Sequence, residues 1–202
     1  AEANDFNFDA MDEALREGLN APEASADELL DLAMGEAMPV ADLKAAITVL
    51  QGGKVSDQKT ADALVAVLNS EDAADRWQAY LGIFTTGSGD YRKSNPYTAD
   101  SVKQSPLIAD LFQMKDGEGR EVARVRQLAE LLARARAFER TSALLRVGVP
   151  ALLAYQQAKA ARAALDFDDL IHKTRLLLTQ SGMSDWVLYK LDGGLSHVLL
   201  DE

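Results

Sequence analysis

The sequence predicts a mainly α-helical protein that ends in a single β-strand. Two observations predict the helices: apolar residues recur at intervals of three and four, and short segments rich in Gly, Pro, Ser and Asn separate these stretches. A third observation predicts the strand, because residues 197–200 are apolar or nearly so and are followed directly by Asp201 and Glu202. Such a strand is typical of a parallel sheet that helices cover on both faces. We therefore expect a helical body followed by a short piece of an α/β domain.

The composition is that of a globular protein. A chain of 202 residues can bury a substantial core, and the absence of cysteine excludes a disulfide scaffold. No apolar run approaches the roughly 18 residues that a membrane span requires, and no basic and then apolar segment opens the chain. We therefore expect neither a membrane partner nor a signal peptide.

The charges are unevenly distributed along the chain, which carries a net charge of −11. Residues 1–75 hold 4 Lys/Arg and 17 Asp/Glu, a balance of −13, whereas residues 120–162 hold 9 Lys/Arg and 3 Asp/Glu, a balance of +6. This asymmetry suggests that the basic segment meets phosphate groups. The alternative, which the residues alone favour, is that its arginines pair with the acidic helices.

The acidic segment 1–84 is expected to form five short helices. The first ends near Gly18, which stands where a C-terminal cap is expected. The second begins at Ser25, which forms a capping box with Glu28 because the two side chains satisfy each other's orphan backbone donors. The last carries several aromatic side chains, and we expect Trp77 and its aromatic neighbours to lie in the core.

Residues 85–105 are expected to form a long loop, because Gly, Ser, Asn and Pro recur throughout them. Within this loop, Tyr91, Arg92 and Lys93 combine aromatic and basic groups, which are the ingredients of single-stranded nucleic-acid binding. The alternative is a flexible surface loop with no ligand. Arg92 and Lys93 are therefore candidate DNA-binding residues.

The basic segment 106–164 is expected to be built around one long helix. This helix begins at Arg120 and continues to about Val149, where Pro150 either kinks it or opens the next helix. Its arginines fall into two groups on opposite sides, so at most one group can face DNA. The candidate DNA-binding residues of this helix are Arg120, Arg124 and Arg134.

The C-terminal segment 165–202 carries three motifs in order. The first, Asp-Phe-Asp-Asp-Leu at positions 166–170, caps a helix and places two further aspartates in its first turn, where the helix dipole favours negative charge. The second is a short aromatic helix that leads to a double-glycine turn, and the third is the apolar strand that ends on Asp-Glu. We expect the first helix to have a buried face formed by Leu170, Ile171, Thr174, Leu177 and Leu178.

Together these motifs resemble superfamily 1 DNA helicases of the UvrD/RecB group, and within it the AddA-type helicase-nuclease subunits that process double-strand breaks in bacteria. The resemblance covers about the last quarter of the chain. It implies that residues 1–164 form a helical insertion subdomain, called 1B in the family, and that residues 165–202 return into the motor domain, called 1A. The insertion would consist of an acidic lobe (1–84), a loop (85–105) and a basic long-helix lobe (106–164). The return junction comprises Asp166, Phe167, Asp168, Asp169 and Leu170.

The resemblance also implies an activity for the parent protein. The parent would bind ATP and Mg²⁺, move 3′ to 5′ along single-stranded DNA in the bacterial cytoplasm, carry a nuclease elsewhere in its chain and work with an AddB-like subunit. By motif position, Asp201 would hold Mg²⁺ and the catalytic Glu202 would position or activate the attacking water. No Gly-x-x-x-x-Gly-Lys-Ser/Thr loop occurs here, so we interpret the chain as an internal fragment that hydrolyses no ATP and binds no cofactor by itself.

A second interpretation is a helical protein-interaction module without catalysis, such as a short solenoid, in which the final Asp-Glu is accidental. The two interpretations differ at residues 195–202, which must form a strand if the helicase interpretation is right. The order and spacing of the three motifs favour the helicase interpretation.

Overall fold

The structure, a computed structural model, describes residues 6–179 and 184–192, and within these ranges the chain is mainly α-helical, as predicted. The predicted strand at residues 195–202 lies outside the described residues. The helices are α1 (Phe8–Leu19), α2 (Ala26–Met34), α3 (Val40–Gln51), α4 (Val55–Asn69), α5 (Ala73–Phe84), α6 (Ala99–Gln104), α7 (Leu107–Phe112), α8 (Arg120–Ala161), α9 (Phe167–Thr179) and α10 (Ser184–Leu191).

The chain divides into two compact units, Ala1–Leu145 and Arg146–Glu202. The division falls within α8, so this helix contributes residues to both units. Among the described residues, every buried hydrophobic side chain belongs to the first unit. That unit therefore has a hydrophobic core of its own.

The core of the first unit lies among α2 to α8. Helix α4 packs against α3 and α5, α5 also packs against α2, and the short α6 and α7 contact α3. The first half of α8 adds a face of buried aliphatic side chains from Val122 to Ala135. At the centre, the rings of Tyr80 and Phe84 meet edge to face with their centroids 5.3 Å apart. Trp77 is also buried, which confirms that the aromatic side chains of α5 belong to the core.

The ends of the first two helices follow from local hydrogen bonding. The predicted capping box is confirmed, because Glu28 N–H donates to Ser25 Oγ (3.2 Å) and Ser25 N–H donates to the Glu28 carboxylate (2.8 Å). The predicted cap of the first helix was wrong, because Gly18 lies inside α1. The helix is instead followed by Asn20 in the left-handed region, with φ of 47°, a conformation that asparagine adopts more readily than most residues.

The loop that follows α5 is shorter than the predicted 85–105, because α6 occupies residues 99–104. The residue before α6, Thr98, is bound to a carboxylate of α4: its N–H donates to Asp57 Oδ1 (2.6 Å) and its Oγ1 donates to Asp57 Oδ2 (2.7 Å). A contact between distant parts of the chain therefore positions α6. This explains why apolar spacing did not reveal the helix.

Helix α8 is longer than predicted and runs through Pro150 to Ala161. Proline has no N–H to donate to the carbonyl four residues earlier, so one helical hydrogen bond is missing at this point. The helix continues because the residues after the proline are rich in Ala, Leu, Gln and Lys, which favour helix formation.

The second unit contains the end of α8 together with α9 and α10. Asp166 caps α9 as predicted, since Asp169 N–H donates to Asp166 Oδ1 at 2.9 Å. The prediction of a buried face on α9 was wrong for this structure. Leu170 is 48% exposed and Ile171 is 68% exposed, and the described part of this unit does not cover them. Among the described residues, no helix combines the length and the apolar character needed to cross a membrane.

Candidate nucleic-acid interface

Arg92 and Lys93, the first two candidate DNA-binding residues, are exposed in the loop after α5. Two backbone interactions with the end of α5 hold this part of the loop in place. An antiparallel bridge joins Thr85 to Tyr91, and Arg92 N–H donates to the carbonyl oxygen of Phe84 at 2.8 Å. The loop therefore leaves α5 in a defined direction, with Arg92 at a fixed position.

Arg92 lines a surface cavity of about 350 Å³ formed by α4, α5 and the loop. We call this the basic cavity. Its polar side chains are those of Lys59, Arg92, Asn95, Ser56 and Thr60, and its apolar wall comes from α4 and α5. None of its lining residues is acidic. The cavity thus places two cations together within the unit that carries most of the acidic residues.

Tyr91 is not available for base stacking in the way that the sequence suggested. It is half-buried, and the guanidinium carbon of Arg126 lies 4.3 Å from the centroid of its ring. Arg126 in turn pairs with Glu118 at 2.9 Å. Burial also raises the pKa of the Tyr91 hydroxyl. One face of the ring is therefore occupied by an arginine of α8.

Arg120 bridges two carboxylates, one on the acidic helix α3 and one on α7. Its Nη2 donates to Asp42 at 2.7 Å and its Nε donates to Asp110 at 2.8 Å. These hydrogen bonds raise the pKa of Arg120, and the one that Arg120 donates to Asp42 has the larger influence. Exposed pairs of this kind contribute only about 0–1 kcal/mol each. For Arg120 the structure shows the pairing that was the alternative to DNA binding.

Arg124 points into the unit and partners a buried carboxylate. Its Nε donates to Glu121 Oε2 at 2.9 Å and its Nη1 donates to the carbonyl oxygen of Ala33 at 3.0 Å. The hydroxyl of Tyr80 donates to the same Glu121 oxygen at 2.7 Å. Glu121 is only 3% exposed, so an unpaired charge there would be costly. Arg124 therefore neutralises a charge in the interior.

Arg134 pairs with Glu130 one turn earlier on α8, at 3.7 Å. It is half-buried and does not line the basic cavity; neither do Arg120 and Arg124. The structure thus does not bring the α8 candidates together with Arg92 at one cavity.

The junction between α8 and α9 is held by charge. Lys159 Nζ lies 2.6 Å from Asp166 Oδ2 and also pairs with Asp169, while the hydroxyl of Tyr155 donates to Asp166 at 3.0 Å. The hydrogen bond from Lys159 holds the pKa of Asp166 well below its usual value, and the two aspartates raise the pKa of Lys159 well above its own. The junction acts as a cap and an ion-pair cluster.

Two other junction residues, Phe167 and Asp168, lie in the first turn of α9, and Phe167 is 85% exposed. Leu170 is half exposed on the same helix. Within the described part of the second unit, these side chains therefore have no buried contact that would explain the motif.

The residues that sequence reasoning missed are Lys59 and Asn95 of the basic cavity. A signal for Lys59 was present, because positions 56, 59, 60 and 63 share one face of α4 and carry Ser, Lys, Thr and Ala between the apolar positions. Asn95 left no comparable signal, since its place depends on contacts with residues after α7.

The predicted Mg²⁺ ligand Asp201 and the predicted catalytic residue Glu202 lie outside the described residues, so both assignments stay predictions. The basic cavity and the α8–α9 junction are the candidate features that the described residues do show. Comparison of the chain with protein-family models, with curated proteins and with solved structures gave no match.

Proposed function

We propose that this chain is part of an ATP-dependent 3′–5′ DNA helicase, an AddA-like helicase-nuclease subunit that acts in double-strand break repair by recombination. The observation that carries the proposal is the order and spacing of the three motifs in residues 165–202. The parent protein binds ATP, Mg²⁺ and DNA in the bacterial cytoplasm and works with an AddB-like subunit. The fragment alone is inactive, because it has no Walker A loop.

In this proposal the two terminal carboxylates have separate roles. Asp201 would hold Mg²⁺ through a hard carboxylate oxygen, and the ion would supply positive charge that stabilises the phosphates during hydrolysis. Glu202 orients a water molecule toward the terminal phosphorus, so that the bond to ADP breaks and inorganic phosphate leaves. Strands of α/β domains bind ligands at their C-terminal ends, which suits the position of both residues.

Two features of the second unit support a return junction at residues 166–170. The ion pairs of Lys159 with Asp166 and Asp169 define the turn between α8 and α9. The apolar side of α9, with Leu170, Ile171 and Leu178, is exposed and bounds a cavity of about 560 Å³. An apolar face of this kind suits a helix that packs against a further domain.

The test uses the longer gene product that includes the upstream and downstream segments. Its DNA-stimulated ATPase is compared with that of Glu202→Gln, with Glu71→Gln as the control because Glu71 is exposed and belongs neither to the basic cavity nor to the α8–α9 junction. We expect kcat to fall at least about 100-fold in Glu202→Gln, while ATP and DNA binding persist. An ATPase that is absent, or that is indifferent to the change at Glu202, would contradict the proposal.

The exposed face of α9 also favours a second candidate, a helical protein-interaction module without catalysis. In that case the terminal Asp-Glu has no chemical role, and the longer gene product shows no ATPase that depends on Glu202. The same experiment therefore separates the two functions.

A further inference from the structure

We propose that the basic cavity binds one phosphate group of a nucleotide, either free or within a single-stranded chain, through Lys59, Arg92 and Asn95. The site is built from α4 and the loop after α5, and Lys59 and Asn95 have no part in the helicase motifs. If the bound phosphate belongs to DNA, this inference rests on the proposed function, because it then names the side chains that hold the DNA strand.

The first support is the charge state of the cavity. Neither Lys59 nor Arg92 forms an ion pair with a carboxylate of the described residues, whereas Arg120, Arg124 and Arg126 all do. Two cations that share one cavity repel each other, and a bound anion removes this repulsion.

The second support is the set of hydrogen-bond donors that remain available. Asn95 Oδ1 accepts from Met114 N–H (2.7 Å) and from Lys115 N–H (3.0 Å), which fixes the orientation of its amide group. The NH₂ group of Asn95 is thereby left to donate. Arg92 uses one nitrogen in a long contact of 3.4 Å with the carbonyl oxygen of Gly82, so most of its five N–H groups are free. Lysine, arginine and amide donors together match the oxygens of a phosphate.

The third support is that the walls are held in place without a ligand. Thr60 Oγ1 donates to the carbonyl oxygen of Pro96, and Thr98 is bound to the buried Asp57 through two hydrogen bonds. These bonds tie the loop that carries Arg92 and Asn95 to α4, which carries Lys59. A site that is formed in advance loses less conformational entropy on binding.

The size of the cavity fits a phosphate with part of its nucleotide. A volume of about 350 Å³ lies near the lower end of the range of about 300–1,000 Å³ for small-molecule sites. Ala79 and Ile83 give it an apolar wall on the α5 side, against which a sugar or a base can lie. We therefore expect a nucleotide to bind more tightly than inorganic phosphate.

The experiment measures binding to the complete chain with three probes: inorganic phosphate, thymidine monophosphate and a fluorescein-labelled oligothymidylate of fifteen nucleotides. The test variant is the double substitution Lys59→Gln with Arg92→Gln. The control, Lys44→Gln with Lys173→Gln, removes the same charge from exposed lysines outside the cavity. We expect the test variant to bind at least about 10-fold more weakly and the control to stay within about 2-fold of the wild type.

A second variant, Gly82→Leu, tests the cavity without a change of charge. Gly82 lines the basic cavity, and a Cβ atom built there meets no atom within 4 Å, so the side chain enters free space. Leucine also favours helix more than glycine does, so α5 should remain folded. We expect this variant to lose binding of the nucleotide while its circular dichroism and melting temperature are retained.

The outcomes separate the two sources of the phosphate. If thymidine monophosphate binds as tightly as the oligonucleotide, the site takes a free nucleotide, whereas binding of the oligonucleotide at least about 10-fold more tightly indicates a strand. The inference is overturned if none of the probes binds at millimolar concentration, or if the test variant binds as well as the wild type. If no probe binds at the basic cavity but the ATPase depends on Glu202, only the inference about the cavity is wrong. If the probes bind at the cavity but no ATPase depends on Glu202, only the helicase proposal is wrong.

Discussion

Asp57 shows how a single buried carboxylate organises a loop. It is completely buried and accepts hydrogen bonds from Thr98 N–H, from Thr98 Oγ1 and from Lys54 N–H (3.0 Å). Burial alone would raise the pKa of Asp57, but the hydrogen bonds from Thr98 and Lys54 outweigh it and hold the pKa below its usual value. The charged form is therefore stabilised both by a local donor, Lys54, and by a donor that is distant in sequence, Thr98.

The substitution Asp57→Asn tests this role. The amide keeps the size of the side chain but replaces one acceptor oxygen with a donor, which cannot accept from a backbone N–H. We expect the free energy of unfolding at pH 7 to fall by about 1–3 kcal/mol, measured by urea denaturation. Asp62→Asn, at an exposed position of the same helix, is the control and should change stability little.

The contribution of Asp57 to the free energy of unfolding should also depend on pH. Because the pKa of Asp57 is lower in the folded state, its contribution to stability is present above the unfolded value of about 3.9 and is lost as the pH falls through the folded pKa. The difference between the wild type and Asp57→Asn should therefore shrink in acid. A difference that stays constant as the pH falls below about 3.9 would contradict this account.

At the scale of elements, the α8–α9 junction depends on opposite charges rather than on apolar packing. Lys159 is the last basic residue of α8, and Asp166 and Asp169 occupy the cap and first turn of α9. The C-terminal end of α8 favours the positive charge of Lys159, and the N-terminal end of α9 favours the negative charges of Asp166 and Asp169. The turn joining the two helices therefore needs no buried side chain.

Replacement of Lys159 by methionine should loosen this junction, because methionine keeps the length and helix preference of the side chain but not the charge. We expect the Cα chemical shifts of residues 166–170 to move toward their unfolded values in an NMR spectrum. Lys173→Met, at an exposed position of α9, is the control and should leave them in place.

The junction should also respond to pH in both directions. The lowered pKa of Asp166 means that its contribution is present above about 3.9 and lost as the pH falls, whereas the raised pKa of Lys159 means that its contribution is present below about 10.4 and lost as the pH rises further. The wild-type shifts should be stable between these limits. A wild-type junction that loosens near neutral pH would contradict the charge-based account.

At the scale of the whole molecule, burial is concentrated in the unit Ala1–Leu145. Its core contains the aromatic centre around Tyr80 and Phe84 and the aliphatic face of α8. Each fully buried side chain of this size contributes about 1.5–3 kcal/mol. The described helices of Arg146–Glu202 include no buried hydrophobic residue, so local unfolding of these helices exposes much less buried apolar surface.

Limited proteolysis of the complete chain tests this difference. We expect trypsin to cut first at Arg162, Lys173 and Arg175, which are exposed, because local opening there breaks few buried contacts. A fragment close to residues 1–145 should then persist, as identified by mass spectrometry. Equally fast cleavage at Lys44 or Lys59, which are exposed on the helices of the core, would show that the first unit is no more stable than the second.

The elements that sequence reasoning predicted correctly depend on neighbours along the chain. The Ser25–Glu28 capping box and the Asp166 cap each involve residues three positions apart. The elements that it missed depend on remote partners: α6 is positioned by Asp57, and Tyr91 is covered by Arg126. Sequence patterns that span only a few residues do not reveal such remote partners.

The sequence by itself determined that this chain is mainly helical, where α2, α8 and α9 begin, and that the aromatic residues of α5 are buried. It did so because helix periodicity and capping act over at most about four residues. Only the tertiary structure decided that Arg120 and Arg124 pair with carboxylates and that Lys59 and Arg92 share a cavity. The physical reason is that ion pairs and cavities depend on distances in space, which folding sets between residues far apart in the chain.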